Sequence, residues 1–197
     1  MKYTKLLASL FFTGLLLSGC GSNDKENPVA VTPPAATQPE ATPPATTPPA
    51  ATPNVLASTT IITTSGKTIQ VDKTAGGFIF HGYEGKIILL EVYGDTCPHC
   101  IAAIPAYNRL QAKYPNDVKI IALESYGTLN NAGLQQYDTV AKANTGNMFS
   151  FIRELTGYGL QAVPYLMILD RNGDYTYQQV LSDFPEAEID SRIQQLL

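Results

Sequence analysis

Cys97-Pro98-His99-Cys100 is the stretch whose side chains and spacing could do chemistry. Two thiols with two residues between them can close a small disulfide and reopen it, so the pair can hold or release two electrons. The apolar run Ile87 to Tyr93 precedes the motif, and Ile101, Ile104, Tyr107, Leu110 and Tyr114 follow it at helical spacing. A strand that delivers a Cys-x-x-Cys pair to the first turn of a helix is the layout of a dithiol redox centre. Cys97 is then the expected attacking thiol, because unpaired N–H groups and the macrodipole at a helix N-terminus favour a thiolate. Cys100, one turn further in, is the expected resolving thiol. Pro98 pre-sets helical φ and gives up only a donor that had no helical partner. His99 can bring a positive charge or a hydrogen bond to the thiolate, and stabilising the reduced form makes a disulfide more oxidising. Two other chemistries compete. Cys97, His99 and Cys100 are soft ligands that suit copper(I), with His81 the one other histidine available to them. A purely structural disulfide is a poor reading, since so short a loop constrains the unfolded chain little. In the redox reading electrons pass between sulfurs, so neither a cofactor nor a metal is expected.

The elements that must position this pair occupy only part of the 197 residues. Lys2 and Lys5 open the chain, Leu6 to Leu17 is almost wholly apolar, and small residues close the run. This is the pattern of an export signal, and the run is too short to span a membrane. Its end, Leu17-Ser18-Gly19-Cys20, resembles the lipobox of bacterial lipoproteins. That resemblance implies removal of residues 1–19, acylation of Cys20 on sulfur, and a mature protein held to a membrane by acyl chains. Cys97 and Cys100 are then the only exported thiols. Loss of residues 1–19 takes away two lysines and no acid, leaving 11 basic side chains against 17 acidic ones. An acidic balance argues against nucleic acid as a partner.

Residues 20–57 read as a tether. Nine of the 14 prolines lie between Pro28 and Pro53, among Ala and Thr. Such a stretch buries too little apolar surface to offset its ordering entropy, and should be extended and semi-rigid. At roughly 3 Å per residue, some 30 of these residues could hold a domain up to about 90 Å from its anchor.

Residues 58–197 are the expected folded domain, a normal size for one core. The β-branched runs at 59–64 and 68–71, separated by Ser65-Gly66-Lys67, predict an N-terminal β-hairpin. Phe78-Ile79-Phe80 is a further short apolar run. Residues 87–93 predict a strand covered on both faces. After the first helix, which Pro105 should kink and Pro115 ends, residues 118–123 predict a strand. Helices are predicted over residues 133–143 and again around 149–155. Residues 163–169 predict a strand with proline at its start, residues 170–174 a hairpin turn, and residues 175–181 an edge strand. Residues 186–197 predict a closing amphipathic helix. His81 and Asp95 read as exposed loop residues, and the tyrosines around Tyr126 and Tyr158 as core and rim. The class is α/β: a mixed central sheet flanked by helices, with the two strands joined through a helix parallel and the last two antiparallel.

That order resembles the thioredoxin fold, and residues 78–197 resemble thioredoxin-fold thiol–disulfide oxidoreductases. Four features carry the resemblance. They are the strand–CxxC–helix context of Cys97 and Cys100, Glu91 six residues before Cys97, Pro105 five after Cys100, and Val163-Pro164. The resemblance implies that Glu91 is a buried acid that accepts the Cys100 proton, exchanging it through water. It implies that Val163-Pro164 is a cis-proline loop facing the dithiol and shaping the substrate groove. Cys-Pro-His-Cys, Glu91 and Val163 resemble DsbA, a periplasmic oxidant. The short segment between Ser125 and Phe149 and the Leu-Asp-Arg-Asn-Gly turn are similar to TlpA-like and ResA-like anchored thioredoxins, and Thr96 stands where many of these proteins carry Trp. The expectation is an extracytoplasmic, membrane-anchored thiol–disulfide oxidoreductase. It would act on exported cysteine-containing proteins and be served by a membrane redox partner. The motif points to an oxidase, which is the expectation; the alternative, to which the architecture points, is a reductase, for instance of apocytochrome.

Overall fold

The computed structural model describes residues 53–129, 137–159 and 161–197. The expected signal, Cys20 and nearly all of the tether lie outside the described residues. The chain divides into Met1–Pro48 and Pro49–Leu197, and everything described belongs to the second unit.

Two sheets form. In the first, β1 (Ala57–Ile62), β2 (Thr68–Lys73) and β3 (Phe78–Phe80) pair antiparallel in that order. The hairpin turn carries Gly66 at φ +83°, a conformation glycine adopts without steric cost. The Phe78 run thus joins the predicted hairpin as a third strand. The second sheet has the order β6-β5-β4-β7-β8, built from β4 (Ile87–Tyr93), β5 (Val118–Glu124), β6 (Asp138–Val140), β7 (Tyr165–Leu169) and β8 (Tyr175–Val180). β4, β5 and β6 run parallel, and β7 and β8 continue the sheet antiparallel. The helices are α1 (Pro98–Lys113), α2 (Gly146–Thr156) and α3 (Glu186–Leu196). Among the described residues no helix is long and apolar enough to cross a membrane.

β4 organises the packing. All seven of its residues are buried, and successive side chains of a strand point to opposite faces. Ile88, Leu90 and Val92 join one apolar layer with Ile61, Val71 and Phe78 of the small sheet and Met148 and Ile152 of α2. Ile87 and Leu89 join the opposite layer with Tyr107 and Leu110 of α1 and Ile189 and Ile193 of α3. Each fully buried Leu or Ile contributes about 1.5–3 kcal/mol relative to exposure, so β4 anchors both layers. The same parity sends Glu91 and Tyr93 toward α1.

The small sheet is fastened to the large one at the turn before β8. The Phe78 N–H donates to the Gly173 carbonyl at 2.8 Å. A Cβ on Gly77 would fall 2.0 Å from that carbonyl oxygen, so only glycine fits the approach.

One predicted element is corrected. Within the helix expected over residues 133–143, residues 133–136 lie outside the described residues, Asp138–Val140 is strand β6, and Lys142–Asn144 is a single 3-10 turn. Thr139 and Val140 are β-branched and fully buried, and they pair with Ala122 and Leu123 of β5. Sheet pairing at the edge of β5 therefore overrides a weak helical pattern.

Candidate active site

Gly94 to Thr96 turn the chain from β4 into α1, and the Cys97 N–H donates to the Gly94 carbonyl at 3.0 Å. Cys97 is the N-cap of α1, with extended backbone (φ −75°, ψ 118°), and Pro98 opens the helix. Its sulfur stands where a capping oxygen usually stands and accepts the Cys100 N–H at 3.3 Å. A thiolate on Cys97 thus meets a donated hydrogen bond and the positive end of the helix. The Cys97 thiol also reaches the Val163 carbonyl at 3.7 Å. The Val163–Pro164 peptide is cis, so the loop before β7 faces the dithiol.

The two sulfurs are not equivalent. Both cysteines are free thiols; Cys97 keeps 6% exposure and Cys100 none. Burial pushes the Cys100 thiol well up, and the Cys97 sulfur and the Glu91 charge push the same way. Any attack by Cys100 would therefore need a base to take its proton.

Glu91 lies on the α1 side of β4, as strand parity requires. It is fully buried, and among the described residues neither carboxyl oxygen has a hydrogen-bond partner of normal geometry. Burial raises its pKa to about 8, an effect that the Tyr107 hydroxyl partly offsets. A carboxyl poised there changes protonation state near neutrality and can take or return one proton. Tyr107 is fully buried too, and burial followed by the charge of Glu91 raises its own pKa well above the ordinary value.

Neither a protein-family model nor a curated protein sequence matches the chain. Solved structures do. One is a thiol:disulfide interchange protein of the thioredoxin family from Chlorobium tepidum. It is 17% identical, with a TM-score of 0.55 over 74% of this chain and 97% of that one. Another is the thioredoxin domain of a thiol-disulfide oxidoreductase from Bacteroides vulgatus, 13% identical, with a TM-score of 0.51 over 73% of this chain and 98% of that one. The domain has the thioredoxin fold.

Within this thioredoxin fold the other residues singled out by the sequence fall as follows. His99 is exposed, and no hydrogen bond joins it to Cys97 among the described residues. Asp95, expected in solvent, is only 2% exposed; the turn that delivers Cys97 tucks it inward. His81 is exposed in the turn after β3, as expected, hydrogen-bonded to Asp72 at 2.7 Å and 3.3 Å from a Glu84 carboxyl oxygen, and does not join the cysteines. Among the described residues no group of three or more His, Cys, Asp or Glu side chains could hold a metal. A cavity of about 680 Å³ opens among Phe78, Phe80, Tyr83, Ile88 and Arg171. It lies toward the start of β4, at the other end of that strand from Cys97.

Sequence reasoning missed two contributors. Tyr107 stands seven residues after Cys100, two helical turns along the same face, and this spacing could have placed it beside Glu91. Glu124 ends β5 fully buried, and its carboxylate accepts the N–H groups of Tyr126 and Gly127, both at 2.6 Å. Its only sequence signal is an acid ending an apolar strand.

Proposed function

We propose that this protein is an extracytoplasmic thiol–disulfide oxidoreductase whose working pair is Cys97 and Cys100. The observation that carries the reading is the pairing of a helix-capping Cys97, which keeps a little exposure, with a fully buried Cys100 and the buried carboxyl of Glu91, unpartnered among the described residues.

The chemistry balances without a cofactor. In the reducing direction the Cys97 thiolate attacks one sulfur of a substrate disulfide, forming a mixed disulfide and releasing a substrate thiolate. Glu91 takes the Cys100 proton, and the Cys100 thiolate attacks the Cys97 sulfur. The second substrate thiolate leaves, and the domain is left oxidised by two electrons. Oxidation of a substrate dithiol is the reverse: Cys100 leaves as a thiolate and recovers its proton from Glu91. The Val163 carbonyl and Pro164 would line the groove in which an extended substrate lies, offering a backbone edge for pairing.

Cys-Pro-His-Cys and Val163 support an oxidase acting on exported cysteine-containing proteins. The compact anchored-thioredoxin pattern supports the alternative, a reductase. A measured reduction potential separates them: near about −120 mV the oxidase stands, and near about −270 mV it is dropped. In this reading Cys20 carries the lipid anchor, residues 20–57 are the tether, and a membrane redox protein renews the dithiol. Labelling with a radioactive or clickable fatty acid, lost in Cys20→Ser, tests the anchor. The reading as a whole is tested by a Cys100→Ala variant, which should accumulate mixed disulfides on Cys97. A variant that traps no cysteine-containing protein, while folded and exported, would sink it.

A further inference from the structure

The segment that follows β5 is built more firmly than an exposed loop requires. The Ser125 N–H and hydroxyl both reach the Tyr93 carbonyl, at 2.9 and 2.7 Å. The Glu124 carboxylate, fully buried and paired with no cation among the described residues, accepts the next two backbone N–H groups. Gly127 takes the left-handed backbone, φ +92°, that this wrap needs. Burying a carboxylate is costly unless its oxygens are satisfied, and here two backbone donors on one loop satisfy it.

What this framework holds in place is the ring of Tyr126. The side chain is 51% exposed, yet its ring lies flat against the turn that leads to Cys97. A Cβ on Gly94 would sit 2.3 Å from the ring, so the absence of a side chain at 94 makes the seat. Burial, and then the charges of Cys97 and Cys100, raise the phenol's pKa, so the hydroxyl stays neutral. Ile101, one turn beyond Cys97, is 39% exposed, and Val163 presents its carbonyl to the Cys97 sulfur. Tyr126 packed on the turn before Cys97, Ile101 one turn after it and the Val163 loop facing its sulfur thus bring an aromatic and two aliphatic residues to the segments around Cys97.

The geometry points to Tyr126 as the residue that selects substrates: it stacks on an apolar or aromatic side chain next to the cysteine of an extended polypeptide, and Glu124 is the positioning residue that holds it there. This rests on the exchange reaction proposed above. Small disulfides lack the flanking residue, so the selectivity belongs to polypeptide substrates. An exposed aromatic, held rigid before binding, loses little conformational freedom when it stacks.

The test uses the full chain and two single-cysteine peptides activated as thiopyridyl disulfides, identical except for Phe or Ser beside the cysteine. The Cys97 thiolate attacks the peptide sulfur, a mixed disulfide forms, and thiopyridone leaves and is read by its absorbance, whichever direction the protein serves in the cell. Wild type should prefer the Phe peptide in second-order rate constant by about tenfold, the usual size of one aromatic contact. Tyr126→Ala should bring that ratio to near one, and Tyr126→Phe should keep it. Glu124→Gln should lower the ratio in the wild-type background and leave it untouched in the Tyr126→Ala background, a pattern that a general loss of structure would not give. A wild-type ratio near one, a ratio unmoved by Tyr126→Ala, or a ratio lost equally in Tyr126→Phe overturns the inference and leaves the exchange reading standing. A wild type that releases thiopyridone from neither peptide overturns both.

Discussion

Glu91 and Asp72 are both strand acids shielded from solvent, and they titrate in opposite directions. Asp72, on β2, accepts from the Ser58 hydroxyl at 2.6 Å and from Gln70 at 3.2 Å, and meets His81 at 2.7 Å. These partners, Ser58 first and His81 next, lower its pKa to about 2. Glu91, on β4, has no such partner, and burial raises its pKa to about 8. Hydrogen bonds to a carboxylate favour the charged form, and an apolar surround favours the neutral one. Asp72 thus ties β1, β2 and the start of the next loop together as a permanent anion. Glu91 stays able to change charge, beside a Cys100 thiol that must lose a proton to react. In the proposed exchange reaction this contrast favours Glu91, and not Asp72, as the acid that could move a proton.

The most severe way to break this contrast is Glu91→Gln, which keeps the shape and removes the titration. Resolution of a mixed disulfide by Cys100 should slow by about 10²–10⁴-fold at pH 7, the usual share of a general acid or base. The first attack by Cys97, timed separately by rapid mixing, should change far less. In the wild type the resolution rate should climb with pH through an inflection near 8, and the variant should lack it. An inflection unchanged in Glu91→Gln would take the proton role away from this residue.

The same substitution should reverse sign in stability. A carboxyl whose folded pKa lies above its unfolded value holds its proton more tightly in the native state, so the native state loses stability as pH rises from about 4.5 to about 8. Relative to wild type, Glu91→Gln should gain roughly 2–4 kcal/mol between pH 5 and pH 8. Denaturant unfolding of the reduced protein at those two pH values measures the difference. The titratable groups near Glu91 on this side include Tyr107, Cys100 and Tyr93, each kept neutral over that range by burial. They do not compete for the assignment.

Much of this architecture is readable from alternation alone. Residues 87–93 are apolar at every position but one, and period two then assigns Glu91 to the face that Tyr107 and Cys100 share. Cys97, Pro98 and the helical spacing after them are enough to place the dithiol at a helix start. Other features escape sequence for physical reasons. β6 is three residues long, and its state is decided by the exposed edge of β5 rather than by its own pattern. Asp95 sits in a turn, where acids are usually solvated, and only the packing of that turn buries it. The Tyr107 hydroxyl is silent in sequence because a tyrosine fits a helical apolar stripe as well as a phenylalanine does. Glu124 is silent because its partners are backbone amides, which every sequence supplies.

Tyr107→Phe sharpens the contrast by a smaller step. The Tyr107 hydroxyl pulls the Glu91 pKa partly back down, so its loss should move the inflection of the resolution rate upward, by up to about one pH unit. At pH 7 the reaction should slow a few-fold, and at pH 9 it should recover. An inflection that moved down would show that the phenol stabilises the protonated carboxyl instead.

The smallest effect is expected at the other acid. Ser58→Ala removes the largest of the contacts that lower the Asp72 pKa, and the folded protein should lose about 1 kcal/mol at pH 7. The sign follows from the lowered pKa: Asp72 contributes stability that is present above its ordinary value of 3.8 and is lost as pH falls through about 2. The gap between Ser58→Ala and wild type should therefore narrow as pH falls from 4 toward 2, where Glu91 is protonated in both proteins and contributes no difference. Exchange through Cys97 should proceed at the wild-type rate throughout, because Asp72 lies in the small sheet and touches no part of the dithiol site. A stability gap that instead stayed constant on acidification would mean that Ser58 supports the hairpin by packing rather than by holding an anion, and the contrast between the two acids would then rest on Glu91 alone.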